Sequence, residues 1–331
     1  MDLLSSNKYI SLPPFSQPKV LLAVDNPRMA LNSLKLYRVY SAKAIFLKKL
    51  IKLLSSIGLI SLFSKKSVQS EFADFLEQNF KSEEGPLVLS KYLATDGDKV
   101  IFQIQGAKGV IGYLKYALNE AGREKLEREL EGMEVFAQCG IKSLEVLWKG
   151  TYKGFPFFVS EEVEESKTEL QKLDFNPYLN KLKREREYPL SSHPRIEQLR
   201  LFFQEKKLAQ YGELLDDLVQ KSTQSYALAY EHGDFCPWNV LQNGDEVRLF
   251  DLEYFEKDGI ESFDLIAYHF RVATHLQGMD GTELFDYIKK ELASSEAEVL
   301  FKLFLLKEVM ETYTLGRTHM VDIEALLRQK F

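Results

Sequence analysis

The pattern of apolar and polar positions predicts a β-rich segment between about residues 86 and 163. Three runs rich in β-branched and aromatic residues, PLVLSKYLA, KVIFQIQ and GVIGYLKYA, are separated by short glycine-containing turns. Helical spacing follows over residues 120–139, and two further strand-like runs, SLEVLWKG and FPFFVSEEV, complete the segment. The predicted order is therefore strand-strand-strand-helix-strand-strand.

After residue 163 the pattern of apolar residues mainly predicts helices. Helical spacing recurs over residues 168–185, 194–230, 260–277, 282–293 and 296–328, and a short strand pair is predicted near residues 240–252. Together the two patterns predict an α+β, bilobal chain. Its small β-rich N-lobe is expected over residues 76–163, and its mainly helical C-lobe over residues 164–331.

The N-terminal region predicts an added basic helical segment over residues 1–75. Within residues 28–63, apolar side chains recur at helical spacing, while Lys48, Lys49 and Lys52 fall mostly on the other face. Three lysines make a membrane-spanning helix too costly, and a linker is expected over residues 61–70. Two hypotheses follow: the apolar face docks on the rest of the chain, or the helix lies on an anionic membrane surface.

Charge is distributed unevenly along the chain. The 331 residues carry a net charge of −6, but residues 1–70 hold eleven lysine or arginine residues against two acids, so the remainder is strongly acidic. An acidic body repels phosphate, which argues against nucleic-acid binding. Two cysteines are too few for a disulfide scaffold or a cysteine-based zinc site. Because the first residues also lack the pattern of a secretory signal, a cytoplasmic location is expected.

The stretch EHGDFCPWNVLQNGDEVRLFDLEYFE, residues 231–256, carries the clearest chemistry. Asp234 precedes Asn239 by five residues, and Asp251 follows Asn239 by twelve. Two short apolar runs between Asn239 and Asp251 meet at Asn243-Gly244, which predicts a hairpin that brings both side chains to the same end of adjacent strands. A carboxylate and an amide oxygen side by side suit Mg²⁺ with bound phosphates.

These loops resemble those of the aminoglycoside phosphotransferase and choline kinase superfamily, which has a protein-kinase-like fold. HGDFCPWN followed by FDLE is similar to the family's catalytic and metal-binding loops. The resemblance implies ATP and Mg²⁺ as cofactors, Asp234 and His232 as catalytic residues, and Asn239 and Asp251 as metal ligands. For His232 an orienting role is favoured over that of a base. Asp264, in ESFDLIAYHF, matches the structural Asp-Leu that this family places after its metal motif.

The resemblance extends to the predicted N-lobe. Lys115, in VIGYLKYA, matches the third-strand lysine that holds the α- and β-phosphates of ATP. Glu129 matches the helix glutamate that pairs with this lysine, and Glu131 and Glu134 compete with it for that role. The resemblance therefore implies an ion pair in the nucleotide site.

The nucleotide-covering loop departs from the usual pattern, because no G-x-G-x-x-G occurs. By the resemblance the loop is expected at residues 94–99, where Thr95 and Gly97 are the candidate phosphate contacts. Glu161 and Val163, at the end of the fifth strand, are expected to offer backbone groups to adenine. With the two residues named before them, these four complete the predicted cofactor-binding set of Lys115, Glu129, Thr95, Gly97, Glu161 and Val163.

The resemblance implies a phosphotransferase that moves the γ-phosphate of ATP to a hydroxyl group of a small molecule or glycan. The basic N-terminal segment points to an acceptor at a membrane surface, such as a lipid-linked sugar or a cell-envelope glycan. An antibiotic, a choline-like compound and a soluble sugar stay open as acceptors. One rival hypothesis is a catalytically silent nucleotide-binding or interaction module. A second, a protein kinase, is disfavoured because no long activation segment and no Ala-Pro-Glu follow Asp251.

Overall fold

The computed structural model describes residues 3–14, 17–37, 42–80, 86–93, 97–162, 174–243, 246–316 and 318–329. The chain forms two compact units, Met1–Glu127 with Leu144–Glu164, and Arg128–Ser143 with Glu165–Phe331. The first unit is rich in strands and the second is mainly helical, which confirms the predicted α+β class.

Eight strands form one antiparallel sheet in the first unit: β1 (Lys8–Leu12), β2 (Val20–Ala23), β3 (Lys65–Lys66), β4 (Val88–Tyr92), β5 (Lys99–Gln105), β6 (Val110–Ala117), β7 (Val146–Tyr152) and β8 (Phe155–Glu161). Their order across the sheet is β3-β1-β2-β4-β5-β6-β8-β7. The accompanying helices are α1 (Pro27–Ser33), α2 (Ala42–Ser56), α3 (Glu71–Asn79) and the first part of α4 (Glu120–Gln138), whose residues from Arg128 onward belong to the second unit. The order from β4 through α4 to β8 confirms the predicted strand-strand-strand-helix-strand-strand pattern.

The two faces of β5 show why the N-terminal residues belong to this unit. Phe102 on one face contacts Phe72 of α3, with the ring centroids 5.7 Å apart. On the other face, Gln105 is buried and donates from Nε2 to Ser33 Oγ at 2.8 Å, while Gln103 donates to the backbone of α1. Buried amides need such partners, so α1 covers a sheet face that would otherwise be exposed to water.

The structure corrects the details of the N-terminal prediction. The single helix expected over residues 28–63 is divided into α1, a 3₁₀ turn at Leu34–Leu36, α2 and a 3₁₀ turn at Leu59–Phe63. Gly58, with φ of +76°, takes the left-handed conformation that ends α2. The linker expected over residues 61–70 is wrong, because β3 lies there and pairs with β1 at the edge of the sheet. Strands of two to five residues are too short to show a reliable period.

Besides the end of α4, the second unit contains seven helices and five strands among the described residues. The helices are α5 (Asn176–Leu182), α6 (Pro194–Glu205), α7 (Ala209–Lys221), α8 (Phe263–Arg271), α9 (Gly281–Leu292), α10 (Ala297–Leu315) and α11 (Ile323–Arg328), with a π-helical turn at Val272–Gln277 after α8. The strands are β9 (Lys183–Pro189), β10 (Ser225–Glu231), β11 (Val240–Asn243), β12 (Glu246–Leu249) and β13 (Glu256–Ile260).

Helix α10 forms the centre of the second unit's core. Leu303, Phe304, Leu305 and Leu306 are successive residues, so they point in all directions around the helix, and all four are buried. Such a helix is surrounded by protein on every side. Across the described parts of the chain, no helix combines the length and apolar character that crossing a bilayer requires.

Three strands of the second unit are absent from the prediction. β13, β10 and β9 form an antiparallel sheet in that order, and β10 falls inside the helix predicted over residues 194–230. The β10 sequence SYALAYE has a short apolar centre, and periodicity alone does not distinguish such a run in a strand from one in a buried helix. β9, KREREYP, is an exposed edge strand whose charged residues give no apolar face.

Glu296, just before α10, connects this helix to the start of β10. Its carboxylate accepts hydrogen bonds from Ser222 Oγ at 2.5 Å, from the Thr223 N–H at 2.7 Å and from the Tyr226 hydroxyl at 2.7 Å. Burial opposes the ionised form, but these donors outweigh it and lower the pKa of Glu296 to about 2. At pH values above 4.5, the ordinary pKa of a glutamate, the ionised carboxylate therefore stabilises the fold. This stabilisation is lost as the pH falls from 4.5 toward 2.

Replacing Glu296 with Gln should lower the free energy of unfolding by about 1–3 kcal/mol at neutral pH. The amide has one acceptor oxygen in place of two, so buried donors lose their partner. Urea unfolding followed by circular dichroism measures the loss. The difference from the wild type should shrink as the pH falls from 4.5 toward 2, because the wild-type carboxylate is then protonated.

The matched control is Glu213→Gln, which changes an exposed glutamate of α7. Its free energy of unfolding should stay within about 0.5 kcal/mol of the wild type. Equal stability of Glu296→Gln and the wild type at neutral pH would contradict the role given to this carboxylate.

Candidate functional site

The predicted hairpin is present as β11 and β12, with Val240 opposite Leu249. Just beyond these paired residues, the N–H of Phe250 donates to the carbonyl oxygen of Asn239 at 3.1 Å. Asp251 follows directly and has φ of +66°, a left-handed conformation that is strained for a residue with a side chain. The hairpin thus places Asn239 and Asp251 at its open end, and strain of this kind is common at functional sites.

Asp234 lies on the loop that enters the hairpin, and Asn239 holds it there. The Asn239 amide donates from Nδ2 to the Asp234 carbonyl oxygen at 2.9 Å and to its carboxylate Oδ2 at 3.2 Å. Asn239 itself is only 3% exposed. Because its N–H₂ group faces Asp234, its amide oxygen is directed away from that carboxylate and can serve as a ligand.

The chemistry of these side chains fits a metal ion that keeps other ligands. Among the residues that the structure describes, no group of three or more His, Cys, Asp or Glu side chains is placed to hold a metal ion. Asn239 and Asp251 supply one amide oxygen and one carboxylate. Mg²⁺ accepts such a small set, because it retains water and phosphate oxygens in its shell.

His232 is fully buried and connects the loop to the hairpin. Its Nε2 lies 2.9 Å from the Phe250 carbonyl oxygen, and its Nδ1 lies 3.4 Å from the Asp234 backbone nitrogen. A carbonyl can only accept and an N–H can only donate, so these partners fit a neutral ring with its proton on Nε2. Burial lowers the pKa of His232 and favours the same neutral form. These contacts support the orienting role predicted for His232.

The Asp264 carboxylate holds the start of the loop. Its Oδ2 accepts from the His232 N–H at 2.6 Å, and its Oδ1 accepts from the Gly233 N–H at 3.2 Å. Burial and the nearby Glu231 raise the pKa of Asp264 to about 7, although the two N–H donors oppose the shift. Asp264 therefore has the structural position that the sequence resemblance implies.

Gly233 is required by the shape of this loop. Its φ is +80°, and a Cβ added there would lie 2.0 Å from the carbonyl oxygen of Tyr254. Both the left-handed backbone and the close approach exclude a side chain. The turn that precedes Asp234 therefore requires glycine at position 233.

Arg271 is a site residue that the sequence analysis missed. Its Nε lies 3.9 Å from Asp234 Oδ1. Its Nη2 donates a hydrogen bond of 2.9 Å to Oε2 of the buried Glu308. Arg271 and Glu308 are both buried, so each needs the other as a charge partner. The guanidinium thus adds a positive charge beside the candidate catalytic carboxylate.

Lys307 forms a second buried ionic group under the loop. Its Nζ lies 3.0 Å from Glu311 Oε1 and 3.9 Å from Glu231 Oε2, and it donates to the Gly233 carbonyl oxygen at 3.4 Å. Burial opposes the charge, but Glu311 and Glu231 outweigh it and raise the pKa of Lys307. The sequence feature that could have revealed this group is the charged triplet of Lys307, Glu308 and Glu311, which directly follows the apolar run Leu303–Leu306 of α10.

Lys115 lies in β6, the third strand of the predicted order, as expected. It is half-buried and stands opposite Ile101 of β5 and Phe158 of β8. This position is compatible with the role that the resemblance implies, and the role itself stays a prediction.

Glu129 is the buried member of the three candidate glutamates on α4. It is 3% exposed, whereas Glu131 and Glu134 are exposed and Glu131 forms an ion pair with Lys257 at 2.5 Å. Burial of a carboxylate requires a compensating partner, so the structure favours Glu129 over its two competitors. Its pairing with Lys115 stays a prediction.

The nucleotide-covering loop is described only in part. Thr95 of this loop lies outside the described residues. The same is true of Val163, the second residue predicted to face adenine, and of Gly244 in the predicted hairpin turn. Gly97 has φ of +87°, which suits a tight turn. The neighbouring Asp98 carboxylate is 3.0 Å from Lys125 Nζ, so its charge is compensated within the unit.

Glu161 ends β8, and its backbone N–H donates to the Glu145 carbonyl oxygen at 2.9 Å. The N–H group of Glu161 therefore already has a partner within its own unit. The predicted adenine contact itself stays a prediction.

No family model matches the sequence, and no curated protein matches it. Solved structures with similar folds were found. A ternary complex of a thermostable mutant of aminoglycoside phosphotransferase APH(4)-Ia with AMP-PNP and hygromycin B is 13% identical, covers 75% of this chain and 93% of that chain, and has a TM-score of 0.51. A protein assigned as a fructosamine-3-kinase from Haemophilus somnus is 13% identical, with 77% of this chain and 94% of that chain covered and a TM-score of 0.48.

The similarity to APH(4)-Ia concerns the fold. It shows that this chain has the α+β, protein-kinase-like fold of an aminoglycoside phosphotransferase, which confirms the fold predicted from the loop resemblance. An identity of 13% shows a shared fold and not a shared activity.

Replacing Gly233 with Ala should lower the free energy of unfolding by about 2 kcal/mol or more, because the new Cβ is strained in the left-handed region and meets the Tyr254 carbonyl. Urea unfolding measures this loss. Gly212→Ala is the matched control, since Gly212 lies within α7 with open space around it and should gain up to about 1 kcal/mol. The loop geometry is contradicted if Gly233→Ala is as stable as the wild type.

Proposed function

We propose that this protein is an ATP- and Mg²⁺-dependent phosphotransferase that moves the γ-phosphate of ATP to a hydroxyl group of a small molecule or glycan. The observation that carries the proposal is the connection of Asp234, Asn239 and Asp251. Asn239 donates to the Asp234 carboxylate at 3.2 Å, and its backbone carbonyl is bonded to the residue before Asp251 at 3.1 Å. Phosphoryl transfer requires a carboxylate for the acceptor and oxygen ligands for a metal at one place.

Asp234 is the residue that we assign to the acceptor. Its carboxylate would accept a hydrogen bond from the acceptor hydroxyl and direct an oxygen lone pair at the γ-phosphorus. As the new O–P bond forms and the bond to ADP breaks, the hydroxyl proton would pass to Asp234. Asn239 and Arg271 hold this carboxylate from two sides, which limits its motion.

Asn239 and Asp251 would hold the Mg²⁺ ion. When bound, Mg²⁺ neutralises charge on the phosphates of ATP. His232 would maintain this arrangement, because it is bonded to the Phe250 carbonyl directly before Asp251.

The remaining nucleotide contacts are proposed from the resemblance. Lys115, positioned by Glu129, would bind the α- and β-phosphates. Backbone groups near Thr95 and Gly97 would cap the phosphates, and those at Glu161 and Val163 would face adenine.

The acceptor is proposed to carry a hydroxyl group and to be held near a membrane, such as a cell-envelope sugar. The fold relative with hygromycin B and AMP-PNP supports a small-molecule acceptor together with a nucleotide. ATP supply favours a cytoplasmic location, peripheral to the membrane.

Thermal unfolding with ATP and Mg²⁺ tests the nucleotide site. Nucleotide at about 100 times its dissociation constant should stabilise the native state by about 2.7 kcal/mol, a shift in Tm of about 5–10 °C. Asp251→Ala should lose the Mg²⁺-dependent part of this shift. Asp286→Ala, which changes an exposed aspartate of α9, is the matched control and should retain it.

Asp234→Asn tests the transfer step separately. It should keep the nucleotide-dependent shift, because Asp234 is not a proposed metal ligand, and should slow ADP release by about 10²-fold or more. The assay follows ADP release with hexoses, an aminoglycoside and choline as acceptors. Wild-type rates in Asp234→Asn would contradict the assignment, and a nucleotide-dependent shift with no ADP release in the wild type would favour the silent binding module.

A further inference from the structure

Helix α2 and the 3₁₀ turn after it expose an unusual number of large apolar side chains. Phe46, Leu50, Leu53 and Ile57 recur at every third or fourth position, so they form one stripe along α2. Phe46 is 72% exposed and Leu53 58%. Leu62 and Phe63, in the 3₁₀ turn, are 75% and 72% exposed and extend this apolar area.

A different face of α2 attaches the helix to its unit. Ile51 is buried and, together with Ile60 of the 3₁₀ turn, joins the apolar cluster that contains Val20 and Leu22 of β2. The exposed stripe that contains Phe46 is therefore separate from the face of α2 that packs on the sheet through Ile51. Of the two hypotheses for this segment, docking on the rest of the chain uses the Ile51 face and leaves the Phe46 stripe in contact with water.

The charged side chains of the segment that carries the stripe are all basic. No aspartate or glutamate occurs between Asp25 and Glu71. Lys49 and Lys52 are exposed on α2, and Lys65 and Lys66 are exposed on β3. We define the exposed side chains of residues 43–66 as the α2 surface.

We infer that the α2 surface binds an anionic lipid bilayer. Its apolar side chains would enter the boundary between headgroups and acyl chains, while its lysines would meet the lipid phosphates. A second copy of this chain is a less favoured occupant, because a two-fold contact between two α2 surfaces would place the lysines of one copy opposite those of the other. The inference is independent of the proposed phosphotransferase activity.

Vesicle flotation of the full chain tests the inference. We expect binding to phosphatidylcholine vesicles in which about a third of the lipid is phosphatidylglycerol, and little binding to phosphatidylcholine alone. The double variant Phe46→Ser with Leu53→Ser should weaken binding by about tenfold or more. Its Tm should equal that of the wild type, because both side chains are exposed.

Two control variants separate this surface from general effects. Leu201→Ser removes an apolar side chain of similar exposure, 56%, from α6 and should leave vesicle binding unchanged. Lys49→Gln with Lys52→Gln should weaken binding to the anionic vesicles by about tenfold or more. Lys289→Gln with Lys290→Gln, an exposed pair on α9, should have little effect.

Three results would overturn the inference. The first is a wild-type protein that does not bind the anionic vesicles. The second is a Phe46→Ser and Leu53→Ser variant that binds them as well as the wild type. The third is a wild-type dimer in sedimentation that this variant dissociates, since a second copy would then be the occupant of the α2 surface.

Discussion

The geometry of the candidate site depends on one buried carboxylate, that of Asp264. It accepts the consecutive N–H groups of His232 and Gly233, which are the two residues before Asp234. Both hydrogen bonds are buried, and a buried N–H group left without an acceptor costs about 1–3 kcal/mol. The backbone of His232 is held in this way, and its ring contacts the Phe250 carbonyl oxygen directly before Asp251. The Asp264 carboxylate therefore helps to position both Asp234 and the end of the hairpin that carries Asp251.

Buried charges lie under this loop, and each has an opposite charge close by. Arg271 contacts Glu308, and Lys307 contacts Glu311 and Glu231. Removing one member of such a pair leaves the other uncompensated in a low dielectric, which is costly. The network therefore resists rearrangement, and rigid support is what positioning a phosphate acceptor within a fraction of an ångström requires.

The parts of the fold that were predicted correctly depend on short stretches of sequence. The hairpin after Asn239 follows from its Asn-Gly pair, and β4 to β8 follow from apolar runs of five to eight residues. The parts that were missed depend on distant contacts. β10 is a strand because β9 and β13 lie beside it, and Arg271 reaches Asp234 only because α8 packs beneath the loop. The exposure of Phe46 also could not be predicted, because periodicity identifies an apolar face without showing what covers it.

The most direct test of the central claim is a crystal structure of the wild-type protein with Mg²⁺ and AMP-PNP. The account predicts a Mg²⁺ ion bonded to the Asn239 amide oxygen and to the Asp251 carboxylate at about 2.1 Å, with phosphate oxygens completing its shell. It also predicts the Asp234 carboxylate in front of the γ-phosphate. A nucleotide whose metal ion contacts neither Asn239 nor Asp251 would contradict the account.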